Sequence, residues 1–219
     1  MARAVMEAEP IKGSPPRRLT VVRGFGGGPR PPHAVQAPIN NLQIGVLVFI
    51  AFETMVFAGL VTAYLVLRAG SFAWPPPNLP RLPIAVTWVN TGVLLFSAFT
   101  MRRATAAIRA GSRAGLRSAL MATAILGVGF LAVQGTEWVR LIHRGLTLSS
   151  SVYGATFYTL IGLHALHVVG AVGWLLGVLL LVYRGRFSAM AHAGVSACAT
   201  YWFFVCGLWV VLFGLVYLY

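Results

Sequence analysis

Five long apolar stretches constrain this chain more than any other feature. They run at about residues 41–68, 82–103, 115–144, 151–184 and 195–219. Each meets the requirement of about 20 mostly apolar residues for a helix that crosses a bilayer. Inside hydrocarbon every backbone N–H and C=O must be paired within the protein, so a spanning structure is a helix or a closed barrel. These stretches are too long and too uniformly apolar for barrel strands. The expected fold is all-α: a polytopic membrane protein with five transmembrane helices. The third and fourth stretches exceed the span and are expected to tilt or project. No internal repeat is evident.

Composition agrees with a lipid solvent. Of 219 residues, 58% are hydrophobic and only 10% charged, against about 25% charged in soluble domains. The net charge of +13 would suggest nucleic acid in a soluble protein. Here the bases lie between apolar runs, so membrane topology accounts for them and no nucleic acid is expected. Residues 1–40 read as an irregular Pro/Gly/Arg-rich arm. No apolar run follows its first charges, so a cleavable signal peptide is not expected. The arm carries six Lys and Arg, the loop after the second stretch five, and the loop after the fourth two, against four in the other two loops. The basic side faces the cytoplasm, so the N-terminus is expected there and the C-terminus outside. The loop "WPPPNLPRLP" is proline-dense and expected to be a stiff extended turn.

Polar residues inside these stretches are costly and need a reason. Glu53 lies twelve residues into the first stretch. At that depth it needs a partner or a proton, as a proton relay or as a hydrogen-bonded packing residue. Asn90, Thr91 and Ser97 on the second stretch are of the kind that link helices. Gln134 and Glu137 share a face of the third, and Arg140 continues it, so a Glu137–Arg140 pair is expected.

His164 and His167 also share a face. Two imidazoles from one helix do not complete a metal site, and a bis-histidine haem needs imidazoles facing each other from different helices. Hydrogen bonding to Glu53 or to another helix is the better reading. No metal or cofactor is expected in this chain. Cys198 and Cys206 are about 12 Å apart along one helix, too far to bridge. Gly173 and Gly177 form a small-xxx-small pair that would let another backbone approach. The Arg102 and Arg103 loop could hold anionic lipid head groups.

Taken together, these stretches resemble the subunit III family of haem–copper terminal oxidases (cytochrome c oxidase subunit 3). "FIAFETMVFAGLVTAY" is similar to the family's glutamate-bearing helix. "WPPPNLP" followed by "NTGVLLFSAFT" resembles its proline loop and NT-x-x-L-x-x-S helix. "GFLAVQGTEW" resembles its F-L-x-x-Q-x-x-E-aromatic segment, and "GATFYTLIGLHALHVVGAVGWLL" its G-S-T-F…H-x-x-H-V-x-x-G signature. Five motifs in the right order are specific. The chain resembles the shorter bacterial form, which lacks two leading helices.

The resemblance implies a noncatalytic subunit of the bacterial cytoplasmic membrane, with haem and copper held by partner catalytic subunits. Its implied partners are oxidase subunits I and II and phospholipids. Its implied roles are stabilising the catalytic subunit, holding lipids, and supporting oxygen access and proton uptake. It also implies two helix groups, 1–2 and 3–5, lining a lipid-filled cleft, with Glu53 toward the partner. One departure stands out: where the family carries an aromatic-W-H-F-x-D pattern, this chain has Phe203 for the histidine and Cys206 for the aspartate. That allows an alternative, the related accessory subunit of a nitric oxide reductase. A haem-binding membrane cytochrome and a small-solute transporter are weaker readings, the latter because the stretches lack internal prolines and inverted repeats.

Overall fold

The computed structural model describes residues 41–77, 79–80, 82–185 and 193–219; the expected arm at 1–40 lies outside them. Five helices follow in order: α1 Asn41–Ala69, α2 Ile84–Arg109, α3 Arg113–His143, α4 Val152–Tyr183 and α5 Ala193–Phe213. One π-helical turn, Gly214–Leu218, extends α5. All five helices are long and apolar enough to cross a membrane. The protein is an all-α, multi-pass membrane bundle.

Local chemistry sets the ends. Ser112 caps α3 by accepting from the Gly115 N–H at 3.3 Å, and Ser151 caps α4 by accepting from the Gly154 N–H at 3.0 Å. The α2–α3 turn contains Gly111 at φ 71°, a left-handed conformation that glycine takes without steric cost. The second helix runs to Arg109, past the expected end at 103. Hydropathy falls at Arg102 and Arg103, but "ATAAIR" is rich in alanine, the best helix former, so the backbone continues. With 31 and 32 residues, α3 and α4 are about 46–48 Å long, well beyond a hydrocarbon core of about 30 Å.

The helices do not divide into groups 1–2 and 3–5. The most extensive packing is α2 against α3; α5 packs on α1, α2 and α4; and α1 rests on α4 and α5. The reason lies in the connections. A three-residue turn forces α2 and α3 into an antiparallel hairpin, whereas the long proline loop lets α2 leave α1. That loop also folds inward rather than standing extended: Trp74 packs edge-on against Tyr64 at 5.6 Å and Tyr153 at 5.1 Å.

Burial is uneven. In its most apolar window α5 is 50% buried and α1 only 17%, so α5 is the central post and α1 the outlier. The buried residues of α1 are Val46, Glu53, Phe57 and Tyr64. Their spacing follows the 3.6-residue period, which makes one narrow seam.

Candidate functional site

The seam of α1 carries the most unusual contact in the bundle. Glu53 Oε2 lies 2.5 Å from His167 Nε2 on α4. The other ring nitrogen, Nδ1, is 2.7 Å from the Leu163 carbonyl one turn back. A carbonyl only accepts, so Nδ1 carries a proton. In a neutral ring Nε2 is then bare, and the proton between it and Glu53 belongs to the carboxylic acid. In a charged ring it belongs to the imidazolium. Either way one proton lies between α1 and α4, near the middle of both helices. Phe57 packs edge-on against the His167 ring at 5.3 Å and shields the pair.

His164 is placed differently from the expected hydrogen-bonded partner. It is fully buried, neither ring nitrogen has a hydrogen-bond partner, and the ring stacks on Trp209 at 5.2 Å. The i, i+3 spacing sends the two imidazoles to different neighbours, His167 toward α1 and His164 into the aromatic core of α5. Among the described residues no three His, Cys, Asp or Glu side chains group as metal ligands.

A second set of polar contacts joins α2 to α5. Trp209 Nε1 donates to Thr91 Oγ1 at 2.9 Å, and Trp202 Nε1 donates to Ser97 Oγ at 3.1 Å. Each hydroxyl passes its own proton to a backbone carbonyl of α2, Thr91 to Thr87 and Ser97 to Leu94. Sequence reasoning named the two hydroxyls but missed the tryptophans. Their signal was available: two indoles one heptad apart in an apolar helix each carry an N–H that needs an acceptor. Cys206 is buried beside the same contact, its sulfur 3.9 Å from the Leu94 carbonyl, whereas Phe203 is exposed at the bundle surface. The two departures from the family pattern thus face opposite ways. Both cysteines are free thiols.

The remaining polar residues also find neighbours. Asn90 Nδ2 donates to the Phe130 carbonyl of α3 at 3.2 Å. Gln134 Nε2 donates to Tyr217 Oη at 3.3 Å. Glu137 pairs with Arg140 at 2.6 Å, the carboxylate buried and the guanidinium mostly exposed. Arg102 and Arg103 are both exposed. At the opposite end Arg68 donates to Tyr64 Oη at 3.1 Å and to the Tyr219 carbonyl, and sits over the Tyr219 ring at 4.3 Å. Tyr64 in turn donates to the Leu215 carbonyl at 3.3 Å. These contacts pin α1 to the end of α5.

The polar residues that sit between helices here are the ones the sequence motifs are built from. A family model, cytochrome c oxidase subunit III, matches residues 31–219. The chain belongs to the cytochrome c oxidase subunit III family. It is 40% identical over 177 residues to cytochrome c oxidase subunit 3 of Synechocystis sp., covering 80% of this chain and 75% of that protein. It is 36% identical over 190 residues to a probable cytochrome c oxidase subunit 3 of Nocardia farcinica, covering 84% and 91%. Against cytochrome c oxidase subunit 3 of Oryctolagus cuniculus it is 33% identical over 187 residues, covering 81% of this chain but 69% of the longer relative. As a subunit III chain, it is a component of an oxidase complex. Its buried polar pairs are then read as joints of a membrane subunit.

Proposed function

We propose that this chain is the noncatalytic third subunit of a respiratory haem–copper oxidase. It stabilises the catalytic subunit, holds lipids and supports oxygen access and proton uptake while the complex reduces oxygen to water. Haem and copper reside in the partner subunits I and II. The N-terminus faces the cytoplasm and the C-terminus the outside of a bacterial cytoplasmic membrane.

The observation that carries the reading is the use made of the intramembrane polar groups. The carboxylates and His167 are committed to neighbours in the same chain, and His164 is walled in by Trp209. Such groups fasten helices. Glu53 meets His167 across the contact of α1 with α4, which places this carboxylate among the groups that join helices.

Purification of the native complex tests the reading. The chain is expected to co-purify with a copper-bearing oxidase and to show no Soret band when isolated. A nonhaem-iron partner would instead assign it to a nitric oxide reductase. Oxygen turnover or haem binding by the isolated chain would overturn the proposal.

A further inference from the structure

Where the proline loop folds back against the ends of α1 and α5 lies a cavity of about 310 Å³. A single water takes up about 30 Å³ of liquid. The space therefore exceeds one bridging water and lies within the range of ligand sites, about 300–1,000 Å³. Trp74, Tyr153 and Tyr217 stand on its walls, with Leu82 and Ile84 on its apolar side. Part of the lining comes from the π-helical turn Gly214–Leu218, a geometry that occurs frequently at functional sites.

We infer that this cavity binds the head group of an isoprenoid quinone, a flat ring that carries neutral carbonyl acceptors. The inference goes beyond the oxidase reading and involves no redox step in this chain. Three observations carry it. Two donors at the cavity lack acceptors. Tyr153 is only 4% exposed, and its hydroxyl makes no hydrogen bond among the described residues. Trp74 Nε1 is buried and has no acceptor either. Buried polar groups are nearly always paired, so two idle donors on one cavity point to an acceptor brought in from outside. The cavity also offers no idle charge. Among the described residues that line it, Arg68 is the charged one. Its guanidinium is already held by Tyr64 Oη, the Tyr219 carbonyl and the Tyr219 ring. A phosphate would find no unpaired cation there, whereas a neutral carbonyl needs none. The surroundings, finally, suit a ring with an apolar tail. Trp74 and Tyr153 are aromatic walls set edge-on at 5.1 Å. Ile84 and Trp88, one turn apart on α2, are both exposed and form a path for a prenyl tail.

Photolabelling of the full-length chain in its complex tests this, with a short-tailed azido-ubiquinone as probe and decylubiquinone as competitor. Label is expected on the proline loop, the start of α4 or the π-helical turn, and excess decylubiquinone should suppress it. Tyr153→Phe and Trp74→Phe should each raise the competitor concentration for half suppression about five-fold, the effect of one hydrogen bond of ordinary strength. Trp174→Phe, whose side chain does not line the cavity, should leave that concentration unchanged. Label spread evenly over the exposed helix faces, equal suppression by phosphatidylglycerol, or no change in both Tyr153→Phe and Trp74→Phe would each overturn the inference. Subunit composition and haem spectrum report separately on the oxidase assignment, and on whether each variant still assembles.

Discussion

Substituting Glu53 separates a hydrogen bond from a charge. Because His167 Nδ1 is committed to Leu163, Nε2 needs a proton donor or must itself be charged. Glu53→Gln keeps the shape and puts an N–H donor opposite Nε2, so the contact survives with a neutral ring. Glu53→Ala removes the donor and leaves a half-buried nitrogen facing a gap. An interhelical hydrogen bond in a membrane contributes on average about 0.6 kcal/mol, at most about 1.7. Leaving a buried polar group unpaired costs about 1–3 kcal/mol. The expected loss is therefore about 2 kcal/mol for Glu53→Ala and below about 0.5 kcal/mol for Glu53→Gln. The assay is reversible denaturation in mixed micelles, with a double-mutant cycle against His167→Ala. The cycle should return a coupling of about 0.6–1.7 kcal/mol. If Glu53→Gln destabilises as much as Glu53→Ala, the carboxylate charge is required and the proton-sharing argument fails.

Other substitutions read other joints. Gly127→Ala would place a Cβ 2.6 Å from Trp202 Cη2 and 3.2 Å from Val172 Cγ2, so overpacking should cost about 1–3 kcal/mol in the same denaturation assay. Gly173→Ala should not destabilise the isolated chain and should stabilise it by up to about 1 kcal/mol, because among the described residues nothing lies within 4 Å of the added methyl and alanine is the better helix former. Trp209→Phe removes the N–H donated to Thr91 while Thr91 keeps its bond to Thr87, so a loss of about 1 kcal/mol is expected beyond any repacking, measured against a Thr91→Val background. Glu137→Gln should change stability by less than about 1 kcal/mol, since its guanidinium partner is mostly in solvent.

Helix number and approximate span were readable from the sequence because the bilayer allows few other solutions. The Glu137–Arg140 pair was readable for a similar reason: i, i+3 spacing fixes proximity within one helix. Contacts between helices were not. Whether Ser97 meets Trp202, or His167 meets Glu53 while His164 does not, depends on how each helix is rotated. In an all-round apolar helix the hydrophobic pattern says little about rotation. Gly173 and Gly177 show the same limit. Their spacing suggests a close helix crossing, yet both are exposed, and among the described residues no other helix comes within 4 Å of either Cβ position. The end of α2 was misplaced because hydropathy measures lipid solubility, while the backbone obeys helix propensity.

The attachment of α1 follows from these contacts. Its buried seam is one residue wide, and two of the seam's residues are held by polar bonds: Glu53 to His167 at mid-membrane, and Tyr64 to Leu215 and Arg68 at one end. In lipid there is no hydrophobic force holding one apolar helix to another, so packing and polar contacts must hold it. Phe52, Met55 and Val66 on the open side of α1 gain nothing by docking within this chain. Losing both polar joints should therefore free α1 before the α2–α3 hairpin or the α2–α5 tryptophan contacts yield. Glu53→Ala combined with Tyr64→Phe and Arg68→Gln, the last removing the contacts to Tyr219, is expected to raise amide exchange across α1 well before α5 responds. Equal exchange in both helices would mean that α1 is held chiefly by apolar packing, and that the buried carboxylate is not its anchor.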